Sequence, residues 1–143
     1  MVIKIPIHKV LLDEEGYHLF IDGELNSNQV NLLIDTGASK TVFDITRIKK
    51  ILKKRKLLLG DINKLSTGLG TNTMKSHTVT IGEFSIADLK LINYNAILLD
   101  MEHVNKSYKL MKLKPIDGVL GSDLLMKYQA VIDYKNLILK LTI

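Results

Sequence analysis

At 143 residues, 46% hydrophobic and 24% charged, the chain has ordinary globular usage, which excludes a disordered or fibrous polymer and gives one core but not two lobes. No apolar run is long enough to cross a bilayer, and with no cysteine there is no disulfide framework, thiolate metal site or cysteine nucleophile, so a cytoplasmic location is expected. The net charge of +5 comes almost wholly from lysine, as a lysine-, isoleucine- and asparagine-rich composition alone would give, and nucleic acid is not expected as a partner.

Ile3, Ile5 and Ile7 alternate with polar or proline positions, which reads as a first strand, placed on a sheet edge by Pro6. Asp13-Glu-Glu-Gly16 is a turn, and residues 17–25 and 28–35 are two strands with Asn26-Ser-Asn28 supplying the turn chemistry between them. Thr41-Val-Phe43 is short and extended. Asp44 is placed to cap a helix running to about residue 53, with Ile45, Ile48, Ile51 and Leu52 on one face and Arg47, Lys49, Lys50 and Lys53 on the other. Ser66-Thr-Gly-Leu-Gly-Thr-Asn-Thr73 is a glycine-bearing loop between two extended arms, and Gly82-Glu83 suggests another hairpin after a strand over 79–81. One or two strands follow over 89–99, then a lysine-rich stretch over 102–113 that fits either a loop or a short helix. The chain closes with a hairpin of strands at 130–134 and 137–143. The sum is a mainly β, single-domain chain over 1–143 with one or two short helices.

Val30-Asn-Leu-Leu-Ile-Asp-Thr-Gly-Ala-Ser39 carries the most chemical information. Asp35 is a carboxylate ending a run that should be a buried strand, where charge is costly without partners, solvent or a retained proton. The small Thr36 and Gly37 follow, and glycine lets a second chain approach closely. Taken alone, Asp35 equally fits a carboxylate satisfied by the amides of its own turn. Asp117-Gly118 reads as a turn, Asp123 and Asp133 as structural hydrogen-bond acceptors, and the four histidines as scattered side chains without metal-ligand spacing. The basic run Lys49-Lys-Ile-Leu-Lys-Lys-Arg-Lys56 reads as a solvated face, with no aromatic residue interleaved for base stacking.

Three motifs in order resemble the retropepsin-like aspartic proteases, single-lobe, homodimeric relatives of pepsin. They are Leu19-Phe-Ile-Asp-Gly-Glu-Leu25 leading into Leu33-Ile-Asp-Thr-Gly-Ala-Ser39, the flap-like tip Gly68-Leu-Gly70, and Gly118-Val-Leu-Gly121 followed by Leu124-Leu125. Thr71 stands where a third flap glycine often sits, Ser122 where retroviral enzymes usually place an arginine, and the segment over 100–114 is longer than compact retroviral enzymes carry. The resemblance implies an all-β, closed-barrel-like acid-protease fold with one lobe per chain. It implies an aspartic endopeptidase acting on peptides or proteins as a homodimer, since one Asp-Thr-Gly per chain supplies half of a two-carboxylate site. Asp35, Thr36 and Gly37 would be catalytic; Leu33, Ala38, Ser39, Gly68, Leu69, Gly70, Val119 and Leu120 would meet substrate; no metal or cofactor is needed. Trimming 137–143 is expected to weaken dimer and activity together. A non-proteolytic dimerisation or peptide-binding module on the same fold is the alternative, and a basic nucleic-acid-binding protein a third.

Overall fold

A computed structural model describes residues 1–52 and 76–143. In chain order the elements are β1 (Val2–Pro6), β2 (His8–Leu12), β3 (Gly16–Leu25), β4 (Asn28–Ile34), β5 (Val42–Asp44), α1 (Ile45–Ile51), β6 (His77–Ile86), β7 (Leu89–Leu99), α2 (Glu102–Leu110), β8 (Gly118–Leu120), α3 (Ser122–Lys127), β9 (Val131–Asp133) and β10 (Ile138–Thr142). Helices are therefore three among the described residues, where the sequence pattern indicated one or two. The 102–113 stretch resolves as a helix over Glu102–Leu110, with Tyr108 as its buried residue.

Among the described residues two sheets share the strands. The smaller has the order β1-β10-β9, all antiparallel, with β1 on an edge as Pro6 requires. The larger runs β2-β3-β4-β8-β5-β7-β6, and β6 returns to β3 through the pairs Glu24↔Ser85 and Leu25↔Phe84. That last pairing closes six strands into a barrel and leaves β2 outside on β3. Closure removes the free edges that an open sheet would present.

Alternation fills the barrel. Ile21, Leu25, Leu32, Phe43, Phe84 and Leu98 are fully enclosed, and Phe43 meets Phe84 edge-on at 5.3 Å between ring centres. Each such side chain contributes roughly 1.5–3 kcal/mol of burial. Asp44 caps α1 by accepting the Arg47 N–H at 2.9 Å, and the helix stops at Ile51, short of the expected end.

The hairpin expected at Gly82-Glu83 is corrected by the structure. β6 runs straight through it and turns instead after Ile86, where Ala87 takes a φ of 50°. Gly82 is there because the β3–β4 turn docks on it: Asn26 accepts the Glu83 N–H at 3.0 Å and returns its own N–H to the Glu83 carbonyl at 2.9 Å. A Cβ on Gly82 would lie 3.1 Å from the Asn26 side-chain oxygen. A docking glycine thus carries the same sequence signal as a turn glycine.

β10 pairs along its length with β1 of the same chain, and it sends Leu139 and Leu141 into the core. Removing 137–143 would therefore damage the core as well as any interface, so the trimming experiment does not isolate dimer formation.

Tyr94 leans on Phe84 at the rim of this core, with ring centres 5.1 Å apart. Burial, then the nearby charges of Asp123 and Tyr128, push its hydroxyl up to about 12. A tyrosine ionises near 10 when unfolded. Its raised value therefore adds stability that is complete below about pH 10 and is lost as pH climbs toward 12. The urea midpoint of the wild type should fall between about pH 10 and 12 more steeply than that of Tyr94→Phe, a range set by these two values; equal slopes would show that Tyr94 is not held neutral by the fold.

Candidate active site

β4 carries Val30 and Leu32 into the core and delivers Asp35 immediately beyond its end. It lies parallel to β8 in the register Leu32↔Gly118, Leu33↔Val119 and Ile34↔Leu120, while β5 lies antiparallel to β8 on its other side. The loop from Asp35 to Thr41 must therefore leave β4, cross the end of β8 and come back as β5. Such a crossing needs room for backbone against backbone. A Cβ on Gly121 would sit 2.6 Å from the Lys40 carbonyl, and one on Gly118 would sit 2.7 Å from the Phe43 ring. Only glycine fits at either place.

The crossing is pinned on both sides. Asp35 N–H donates to the Leu120 carbonyl at 3.0 Å, and Ser122 N–H donates to the Ala38 carbonyl at 2.7 Å. Beneath them Thr41, 1% exposed, accepts the Gly121 N–H at 3.0 Å. Its hydroxyl and its N–H both donate to Asp123, at 2.7 and 2.9 Å. Asp123 is the structural acceptor read from the sequence; Thr41 was passed over, because an isolated threonine carries no pattern.

Asp35, Thr36, Gly37 and Ser39 are all exposed on the single chain. The Asp35 carboxylate accepts the Gly37 N–H at 2.9 Å, and its main-chain oxygen accepts the Ala38 N–H at 3.2 Å. The turn-amide bond that the isolated motif also fits is thus present. It uses one carboxylate oxygen; the other has no protein partner among the described residues.

The expected substrate-facing residues divide. Leu33, Ala38 and Val119 come together around a second apolar cluster built on Phe20, Tyr108, Ile116 and Val119. Leu120 does not join them. Successive residues of a strand face opposite sides, so with Val119 toward this cluster Leu120 enters the main core, 1% exposed, and is corrected from wall to core. Tyr108 of α2 anchors the cluster, edge-on to Phe20 and hydrogen-bonded to the His18 ring; burial pushes its hydroxyl above the usual range. Gly68, Leu69 and Gly70 lie outside the described residues.

Asp117 was read as part of a turn and is instead a buried ion-pair member, 4% exposed. Its carboxylate accepts the Asn31 N–H at 2.7 Å and Arg47 Nε–H at 2.8 Å. Arg47, expected on the helix face opposite Ile45 and Ile48, thus uses that face to reach a buried carboxylate, its own side chain being half-buried. The pair ties α1 to the strand that carries Asp35. Among the described residues no three histidine, aspartate or glutamate side chains gather as a metal site.

A family model described as aspartyl protease matches residues 21–124. The chain is 32% identical over 117 residues to DNA damage-inducible protein 1 of Neurospora crassa, a match covering 80% of this chain and 23% of that protein. It thus spans under a quarter of that relative. Its fold superposes on a retropepsin-like aspartic protease from Rickettsia conorii with a TM-score of 0.57 at 19% identity, over 99% of this chain and 91% of that one. It also superposes on the retroviral protease-like domain of Ddi1 from Leishmania major, with a TM-score of 0.56 at 15% identity over 87% of each.

Because Gly121 passes within contact of the loop backbone, Gly121→Ala should lower stability by about 1–3 kcal/mol, the usual cost of forced overpacking. Thr41→Val should cost a similar amount, because it strands the Gly121 N–H and removes the hydroxyl's hydrogen bond to Asp123 while the backbone one remains. Urea unfolding reads both, and an unchanged midpoint for Gly121→Ala would contradict the tight crossing.

Proposed function

The chain belongs to the aspartyl protease family, and we propose that it hydrolyses peptide bonds as a homodimer in which each copy supplies Asp35. One observation carries the reading: the Asp35-Thr36-Gly37 loop is exposed on a single chain yet clamped by β8, α3 and Thr41 beneath it. An exposed, rigid loop bearing one carboxylate is half of a site that the same loop of a second copy completes. A two-fold axis through that loop brings the two halves together.

Two carboxylates at such an axis cannot both ionise comfortably, so they hold one proton between them. The ionised member takes a proton from a bound water as that water attacks the scissile carbonyl, and the protonated member polarises the carbonyl oxygen. The roles then reverse: the proton passes to the departing amine as the C–N bond breaks. Thr36 would brace the two loops against each other, and Gly37 would leave space for substrate backbone. Leu33, Ala38 and Val119 would form the apolar wall, and Ser39 would meet substrate at the loop's outer end. The Gly68-Leu-Gly70 tip would close over the cleft and exclude water.

Terminal strands would support the dimer. Val2 on β1 and Val131 on β9 are exposed at 56% and 54%, one at each edge of the smaller sheet. Substituting them by lysine leaves Leu139 and Leu141 in place. Val2→Lys/Val131→Lys should shift sedimentation toward monomer and reduce activity in step, with the monomer still folded; full activity in a demonstrable monomer would contradict the interface.

Asp35→Asn should lose pepstatin-sensitive cleavage of peptides with apolar residues at the scissile bond, while dimerising as the wild type does. Undiminished cleavage would overturn the reading, and an Asn variant that still held a peptide partner in a chain with no turnover would favour the binding-module alternative. Ala38 offers no hydroxyl to favour the ionised pair, so the pH–rate profile should peak in the mildly acidic to neutral range. A maximum below about pH 3, under the ordinary carboxyl values, would contradict this.

A further inference from the structure

Between α1 and α2 lies an open cleft of about 550 Å³ that the proposed reaction does not use. Among the described residues four cations and two carboxylates line it, and most of these charges are already matched. Arg47 is held by Asp117 at 2.8 Å, and Lys106 by Glu102 at 3.4 Å. The Asp44 carboxylate takes the N–H groups of Arg47 and Met101 at 2.9 and 2.8 Å. What remains is Lys50 from α1 and Lys109 from α2, both exposed and neither in an ion pair among the described residues. They stand on opposite helices facing one space.

The apolar part of the cleft is Leu113 and Pro115. Leu113 also packs against the Phe20, Tyr108 and Val119 cluster that holds Leu33 and Ala38. The cleft is thereby joined through one side chain to the wall beside the Asp35 loop. Among the described residues no aromatic ring lines it, so none of these stacks on a base. Its volume accommodates a few side chains of an extended chain rather than a duplex.

We infer that this cleft docks an acidic segment of a protein substrate, with carboxylates on Lys50 and Lys109 and neighbouring apolar side chains on Leu113 and Pro115. The word substrate rests on the protease reading; the docking does not. Because both lysines are exposed, their contribution is modest, screened by salt, and expressed in binding rather than in chemistry.

Two peptide substrates sharing one scissile sequence, one with a glutamate-leucine tail and one with a glutamine-leucine tail, test it. The acidic tail should lower KM about fivefold with kcat unchanged, as two exposed charge pairs supply. Lys50→Gln/Lys109→Gln and 0.5 M salt, where the screening length shrinks to a few ångströms, should each erase that advantage while leaving the neutral-tailed substrate as before. Equal KM for the two tails, or a preference surviving the double substitution, overturns the inference. Fluorescence anisotropy of the labelled acidic tail on Asp35→Asn protein reads docking without turnover. Binding there with no cleavage by the wild type sinks the protease reading alone; cleavage by the wild type with no binding of the tail sinks the docking alone. Tighter binding of a 20-nucleotide single strand than of the tail assigns the two lysines to nucleic acid and overturns the inference as well.

Discussion

The whole arrangement depends on one close passage, in which the end of β8 slides between β4 and β5 under the loop that bears Asp35. Gly118 and Gly121 have no Cβ because there is no space for one, with the Phe43 ring and the Lys40 carbonyl already at the limit. Once that passage is made, hydrogen bonds from Asp35 N–H to Leu120 and from Ser122 N–H to Ala38 close on either side of Gly121. Thr41 and Asp123 lock it from below. The barrel is the scaffold for this clamp, since it fixes β4 and β5 on opposite sides of β8.

Rigidity beneath and exposure above are the combination that a shared catalytic site requires. In the proposed dimer, a carboxylate that is to meet its twin cannot be buried within its own chain, and it cannot wander. Asp35 is held at the backbone while its side chain, among the described residues, makes one hydrogen bond, from Gly37 N–H. The Arg47–Asp117 pair extends the same constraint outward, tying the first helix to the strand that precedes Asp35. Removing one member of a buried pair leaves a charge without compensation, so this tie acts as a strong constraint on where α1 sits.

Much of this was legible in the residues. Alternation at Ile3, Ile5 and Ile7 marked the first strand, though the break after Pro6 and the second strand at His8–Leu12 were not legible, and Asp44 declared the start of α1 by its capping chemistry. The Asp35 loop stood out as a carboxylate ending an apolar run, and the Gly118–Gly121 element by its resemblance to a family motif; the close contacts that require glycine there are visible only in the fold. What escaped was long-range pairing. Asp117 looked like a turn because its partners, Asn31 and Arg47, lie 86 and 70 residues away in sequence. Gly82 looked like a turn for the same reason, its neighbour Asn26 belonging to a different hairpin. Leu120 was grouped with Val119 because adjacency in sequence hides the alternation of faces along a strand. Local chemistry reads locally; a contact across the barrel leaves no mark on either segment alone.

The most direct test is a crystal structure of the wild-type protein bound to a statine-type inhibitor, whose hydroxyl stands in for the attacking water. The account predicts two copies around one inhibitor, with the Asp35 carboxylates about 3 Å apart and both within hydrogen-bonding reach of that hydroxyl. An inhibitor held by one copy, with the second Asp35 far from the first, would contradict it.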